Sequence, residues 1–229
     1  GDRGREASWG GHVSAYGDGR ATAVRSVRRR RATRSMREDG VMSFQMTGLP
    51  EADDVLDQHP FAVVVGMMLD QQYGMEHAFR GGWKVLSRFG TLEPAAIAAA
   101  DPEAFKTLCS EPPAIHRFPG SMATRLQALA ALVESRYDGD VTRLWTEPTT
   151  GKELIARVQE LPGFGRQKAQ IFVALLAKQL AVRPEGWEAV AGDYALEGYR
   201  SVADVVDADS LQKVRDFKKQ KKKAAATTE

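Results

Sequence analysis

Apolar residues recur at helical spacing through residues 50–180, and no segment alternates apolar and polar residues as a half-buried strand would. Pro, Gly and Asp mark short loops between the periodic segments. The segments predicted to be helical are 51–58, 60–72, 76–89, 94–100, 102–109, 122–136, 151–161 and 167–180. This pattern predicts an all-α fold, a bundle of short helices.

The most apolar of these segments is 60–72. Its three successive valines favour a strand, but the segment is long and continues with Met-Met-Leu, so we predict a buried helix. The apolar run within it, Phe61 to Leu69, is about half of the roughly 20 residues that a bilayer span requires. We therefore expect no membrane partner.

Both ends of the chain lack this pattern. Residues 1–45 are rich in Gly, Arg and Ser, and we predict a disordered extension because such a segment cannot bury enough surface to offset its ordering entropy. Three explanations of this extension stay open. It is a basic arm that binds phosphate backbones, an organellar presequence, or a segment that is not translated because the true initiator is one of the later methionines. The predicted organisation is this extension, a helical domain at 46–212 and a Lys-rich basic tail at 213–229. The tail is either a solvated helix or a contact to nucleic acid.

The formal net charge of +2 conceals a segregation of charge. Residues 1–37 carry +7 and residues 211–229 carry +5, which leaves −10 for residues 38–210. An acidic folded part argues against an extensive nucleic-acid surface.

The chain has a single cysteine, Cys109, which excludes an internal disulfide, a Cys-rich zinc site and a four-cysteine iron–sulfur cluster. Together with His59, His77 and His116 it shows no metal-ligand spacing, so we predict no metal site. This cysteine usage is typical of a reducing compartment, and we expect a cytoplasmic protein.

The string Leu-Pro-Gly-Phe-Gly-Arg-Gln-Lys-Ala at 161–169 joins two predicted helices, which together span 153–180. Gly163 and Gly165 allow positive φ and remove side chains, so that the amides of the turn, with Phe164 between them, can converge on one point. The next helix adds its free N-terminal amides and the positive end of its dipole, while Arg166 and Lys168 add charge. The pattern predicts a phosphate site; a plain helix connector is the alternative.

This string resembles the hairpin of the helix-hairpin-helix (HhH-GPD) base-excision DNA glycosylases, the superfamily of endonuclease III and the 3-methyladenine glycosylases. Leu-Asp-Gln-Gln at 69–72 is similar to the family's Leu-Ser-Gln-Gln-like string, and 118–129 is similar to its Lys-Ala-containing helix. The resemblance covers most of residues 50–200 and is greatest to an actinobacterial-type branch without the iron–sulfur cluster. It implies a glycosylase-like helical bundle, a monomer that binds double-stranded DNA with a damaged base, and room for a monovalent cation at the hairpin.

The resemblance also implies site residues. The hairpin amides hold a backbone phosphate, and Gln72, supported by Tyr73, fills the gap left by an extruded nucleotide. Alternatively, Gln72 is an ordinary polar residue at the C-terminal end of a buried helix. Asp70 and Trp187 are candidates for the base pocket, with Tyr194 and Tyr199 as further aromatic candidates; a capping role for Asp70 and a packing role for Trp187 stay open.

One departure from the family concerns the nucleophile. Gln167 stands where the lyase members carry a lysine, so the resemblance implies a monofunctional enzyme that does not cut the strand. Lys168 lies one residue further on, about 100° around the helix, and is not expected to substitute.

A second departure concerns the catalytic carboxylate, which in the family follows the hairpin behind a Gly/Pro-rich loop. Arg183 lies near that place in this chain. We predict Asp193 as the catalytic carboxylate, with Glu185 as the runner-up and Glu188 as a further candidate. A chain without a catalytic acid stays open.

Three functions are therefore compared. The first is a monofunctional DNA N-glycosylase of base-excision repair, and the second is a catalytically silent DNA-binding protein that senses lesions. The third is a helical interaction protein. The acidic middle of the chain favours the last two, whereas a narrow basic face agrees with DNA binding; its predicted members are Arg117, Arg125, Arg166 and Lys168.

Overall fold

The structure is a computed structural model that describes residues 43–227, with side chains up to residue 224. The predicted extension therefore lies almost wholly outside the described residues. The helices are α1 (Pro50–Gln58), α2 (Pro60–Leu69), α3 (Met75–Phe79), α4 (Gly81–Phe89), α5 (Pro94–Ala99), α6 (Pro102–Ser110), α7 (Pro119–Tyr137), α8 (Arg143–Thr146), α9 (Gly151–Gln159), α10 (Arg166–Gln179), α11 (Trp187–Ala191) and α12 (Ala208–Thr227). Two 3-10 turns, Gly192–Tyr194 and Val202–Asp204, separate α11 from α12. Within 43–227 there is no β-strand, and the predicted all-α fold is confirmed.

Helix α2 lies at the centre of the core, with every residue from Phe61 to Leu69 buried. A Cβ at Gly66 would lie 2.5 Å from the Phe79 ring, and one at Gly82 would lie 2.7 Å from the Ala62 Cβ. The neighbouring helices therefore cross α2 almost backbone to backbone. This close approach also accounts for a difference from the predicted single helix 76–89, which is divided at Arg80 into α3 and α4 so that both can pack on α2.

The hairpin connects α9 to α10, and α10 is the second central helix. Phe164, at the tip of the turn, is buried, and its ring centroid lies 5.7 Å from that of Phe172 on α10. The aromatic residue of the hairpin thus anchors the turn to the core, whereas Gly165 is exposed and Gly163 is half-buried against the side chains of Arg125 and Gln71.

The predicted boundary between helical domain and basic tail falls inside α12. Leu211 and Val214 are buried in the core, and Arg215 forms an ion pair with Glu76 of α3. The Lys213 Nζ lies 4.8 Å from the centroid of the Tyr199 ring. The first half of α12 is therefore docked on the body of the protein.

Candidate functional site

The turn between α9 and α10 has the geometry of an anion site. Gly163 has a φ of +84°, which favours glycine, and Gly165 is the N-cap of α10. No side chain caps this helix, and a Cβ at Gly165 would meet nothing within 4 Å. The first-turn amides of α10 therefore face open space. The Phe164 amide, by contrast, donates to the Leu161 carbonyl oxygen at 3.0 Å, so this residue contributes packing rather than a free donor.

Gln71 ties this turn to the loop between α2 and α3. Its Nε2 donates to the Gly163 carbonyl oxygen at 3.1 Å, and its Oε1 accepts from the Arg125 guanidinium on α7 at 3.0 Å. Sequence reasoning missed Gln71, although the Gln-Gln string contained it, because the resemblance pointed to Gln72 alone.

The buried His116 ring contacts the backbone of the same loop. Its Nε2 lies 3.0 Å from the Gln71 carbonyl oxygen, and its Nδ1 accepts from the Phe118 amide at 3.1 Å. One ring nitrogen accepts and the other donates, which requires the neutral ring. Burial lowers the pKa of His116, and the nearby charges of Arg117, Lys168 and Arg125 act in the same direction.

Gln72 is exposed at the tip of the loop and has a φ of +51°, a left-handed conformation that costs a non-glycine residue about 1–2 kcal/mol. Tyr73 follows it, with its ring centroid 4.7 Å from that of His116. The loop thus presents Gln72 at the surface, where it lines the same cleft as Gln167 and Lys168; its role in filling the gap left by a nucleotide stays a prediction.

A cleft of about 510 Å³ opens between this loop, the first turns of α10 and the second half of α12. The loop contributes Asp70, Gln72 and Tyr73, and α10 contributes both Gln167 and Lys168. Lys168 thus lines the same cleft as Gln167 despite the helical offset between them, and the prediction that it does not substitute as nucleophile stays a prediction. Of the predicted base-pocket candidates, Asp70 and Tyr194 line the cleft, whereas Trp187 and Tyr199 do not.

Asp70 is the one carboxylate among the residues that line this cleft. It follows the last residue of α2, and its side chain forms no hydrogen bond or ion pair within residues 43–227. Burial raises the pKa of Asp70, while the charges of Lys218 and Lys168 oppose that shift. Asp70 is therefore a desolvated carboxyl group that faces open volume between two amines.

Lys168 lies on the opposite wall. Its Nζ donates to the Met68 carbonyl oxygen at 2.9 Å, so it satisfies one of the free carbonyls at the end of α2. Burial lowers the pKa of Lys168 to about 8, and the Asp70 charge raises it in part.

The other candidate carboxylates lie elsewhere. The Glu185 amide donates to the Thr149 carbonyl oxygen at 3.1 Å, which places Glu185 at the start of α9. That end of α9 lies about 14 Å from the hairpin, given a rise of about 1.5 Å per residue. Glu188, on α11, is exposed and does not line the cleft.

Asp193 lies at the margin of the site. Helix α11 brings the chain back along α10, where Gln170 donates to the Val190 carbonyl oxygen at 3.2 Å and Gln167 donates to the Tyr194 hydroxyl at 2.8 Å. The Asp193 side chain is exposed at this return and does not line the cleft. Its catalytic role stays a prediction.

Neither a metal site nor a membrane span is found in the described part of the chain. No group of three His, Cys, Asp or Glu residues in 43–227 is placed to hold a metal ion. The monovalent cation expected at the hairpin stays a prediction, and we derive no step through it. No helix of 43–227 is both long and apolar enough to cross a membrane.

Comparison with protein families gives one match. The family described as HhH-GPD superfamily base excision DNA repair protein matches residues 65–229, which include the hairpin and every wall of the cleft. Neither the curated proteins nor the solved structures contain a match to this chain. Because the family match covers well over half of the chain, we conclude that the chain belongs to the HhH-GPD superfamily of base excision DNA repair proteins.

Proposed function

We propose that the protein is a monofunctional DNA N-glycosylase, which extrudes a damaged nucleotide from the duplex into the cleft beside the hairpin and hydrolyses its glycosidic bond. The observation that carries this proposal is the position of Asp70: a desolvated carboxyl group that lines the same cleft as Gln72 and the first turn of α10. A carboxyl group that lines a cleft and has a pKa raised by burial is a candidate for catalysis.

The hairpin supplies the contact that orients the duplex. The open amides at the start of α10 bind a backbone phosphate, and Arg166, exposed at the first position of this helix, adds positive charge. The hydrogen bonds of Gln71 fix the distance between this phosphate contact and Gln72. Gln72 then fills the space in the base stack that the extruded nucleotide leaves.

Asp70 supplies the electrostatic stabilisation. As the bond between C1′ and the base nitrogen breaks, its electron pair leaves with the base and positive charge develops on the deoxyribose. The ionised Asp70 carboxylate stabilises this charge and accepts a proton from the water that attacks C1′. That proton then passes from Asp70 to the departed base nitrogen, so that water has added across the bond. The products are the free base and an abasic site, and the Asp70 carboxylate is regenerated.

The same geometry supports hydrolysis rather than strand cleavage. A Schiff base requires a free amine, and the Gln167 amide offers none. The Lys168 amine lines the cleft but is held at 2.9 Å by the Met68 carbonyl oxygen. The absence of an amine at Gln167 and the hydrogen bond of the Lys168 amine therefore both support a monofunctional reaction.

Single-turnover base release tests the proposal. Duplexes with uracil, hypoxanthine, an alkylated purine or oxidised guanine are incubated with the full chain, with Asp70→Asn and with Asp193→Asn. Release that disappears in Asp70→Asn alone establishes the glycosylase and its carboxylate. Release that disappears in Asp193→Asn alone keeps the glycosylase and transfers the role to Asp193.

The second candidate function is a lesion sensor without catalysis. The net charge of −10 over residues 38–210 favours it, because the positive surface is then narrow. Salt-sensitive binding to damaged duplexes without release of any of the four bases supports the sensor against the glycosylase.

A further inference from the structure

The second half of α12 forms the third wall of the cleft. Lys218, Lys221 and Lys222 line it, together with the half-buried ring of Phe217. These lysines are spaced three and four residues apart and therefore share one helix face, here called the lysine face. The Lys-rich end of the chain is thus part of the candidate site.

The lysine face is held in place by the half of α12 that precedes it. Leu211 and Val214 pack into the core, and Arg215 pairs with Glu76, whose side chain is only 13% exposed. These anchors fix the rotation of the helix about its axis. The packing of the first half of α12 therefore determines that the lysine face is directed toward the cleft.

Within residues 43–227, the three lysines of this face form no hydrogen bond or ion pair. Like charges at this spacing destabilise a helix by a few tenths of a kcal/mol per pair. The cleft also contains the cations of Lys168 and Arg200, against the single carboxylate of Asp70. Five positive groups and one negative group around one cleft favour an anionic ligand with more than one charge.

We propose that the lysine face binds the backbone phosphates that flank the extruded nucleotide. The proposal rests on the proposed function for the position of the extruded nucleotide. From Lys218 to Lys222 the helix rises about 6 Å, which suits adjacent phosphates of one strand. Gln167 and Lys168, in the first turn of α10 directly after the hairpin, line the same cleft as the lysine face.

The salt dependence of binding tests this proposal. The full chain binds a labelled duplex that contains a tetrahydrofuran abasic analogue, which cannot be cleaved at a glycosidic bond, and fluorescence anisotropy is recorded over a series of KCl concentrations. The variant K218Q/K221Q/K222Q is compared with K106Q/K152Q/K219Q, which removes the same charge at positions outside this cleft. Each phosphate contact contributes about 0.9 to the slope of log K against log salt concentration.

We expect the slope to fall by about 2 in the first triple variant and by less than 1 in the control. The charge-conserving variant K218R/K221R/K222R should keep the wild-type slope. The effect should also be larger on the abasic duplex than on an undamaged duplex, because only the former presents an extruded nucleotide.

Equal slopes in the two triple variants overturn the proposal, as does an equal effect on abasic and undamaged duplexes. The slope is a property of binding and is independent of base release. A lowered slope without release of any base therefore refutes the glycosylase alone, whereas base release with an unchanged slope refutes the lysine face alone.

Discussion

The Gln71 side chain donates a hydrogen bond of 3.1 Å to the Gly163 carbonyl oxygen, and the two residues are 92 positions apart in the chain. This bond joins the loop that carries Asp70 and Gln72 to the turn whose amides face open space. The two halves of the candidate site are thereby held as one rigid unit.

Gln71→Ala is expected to weaken both the fold and DNA binding. The loss of its two side-chain hydrogen bonds should lower the free energy of unfolding by about 1–2 kcal/mol, and it releases the hairpin from the loop. Urea unfolding and anisotropy with duplex DNA measure the two effects.

Gln127→Ala is the matched control, because the Gln127 side chain likewise forms two hydrogen bonds, here to the carbonyl oxygens of Ile97 and Ala100, and does not line the cleft. It should lose similar stability and keep its DNA affinity. An equal loss of affinity in both variants would show that Gln71 acts through general stability alone.

Asp70→Asn is expected to stabilise the fold at neutral pH while it abolishes base release. Burial raises the pKa of Asp70, so the unfolded state ionises more readily and the native carboxylate costs stability above the unfolded pKa. The free energy of unfolding of the variant should rise by roughly 1 kcal/mol at neutral pH, and this increase should vanish below the reference pKa of 3.8.

In the same variant, base release should fall at least about a hundredfold. Thermal unfolding at several pH values and single-turnover kinetics measure the two quantities, and a variant that is less stable at neutral pH contradicts the prediction.

Because of His116, the free energy of unfolding should decrease as the pH is lowered. Its folded pKa lies below the reference value of 6.5, so the unfolded state binds more protons as the pH falls through that value, and the free energy of unfolding decreases. Urea unfolding between about pH 7.5 and pH 5.5 measures this slope. His116→Gln should reduce it, whereas His77→Gln, which removes an exposed histidine, should retain it. Equal slopes in the wild type and His116→Gln would assign the effect to another group.

DNA affinity should decline above about pH 8 through Lys168. Burial lowers the pKa of this amine to about 8, so its charge is lost across a range in which an ordinary lysine stays protonated. Lys168→Arg should flatten the decline because the guanidinium stays charged. Anisotropy titrations between about pH 7 and pH 9 test this, and the same decline in both proteins would exclude Lys168 as its source.

Borohydride should trap no covalent complex with a duplex that contains an aldehydic abasic site. The reagent reduces a Schiff base to a stable amine bond, and the proposed hydrolysis forms none. Denaturing electrophoresis with the full chain measures the adduct. An adduct that is absent in Lys168→Arg but present in the wild type would show that Lys168 acts as a nucleophile and that the enzyme is bifunctional.

Local features of the chain were sufficient for the helical architecture and the hairpin. The period of apolar residues determines which face of a helix is buried, and Gly163 and Gly165 permit the tight turn because they lack a Cβ and Gly163 adopts a positive φ. Both are properties of neighbouring residues, so the all-α fold and the open N-terminus of α10 could be predicted. The division of segment 76–89 at Arg80 could not, because it depends on how closely Gly66 and Gly82 approach other helices.

The electrostatic character of the site depends instead on contacts between distant parts of the chain. Asp70, Lys168 and Lys218 are far apart in sequence, and only the packing of α2, α10 and α12 brings their charges around one cleft. The hairpin alone pointed forward along the chain to Asp193 and Glu185, and it gave no signal for Gln71 or for the docking of α12. The sequence thus determined the helices and the glycine turn with its open helix N-terminus, which follow from local geometry. The tertiary structure decided which carboxyl group lines the cleft and which lysines surround it, because desolvation and charge proximity arise only when those helices pack together.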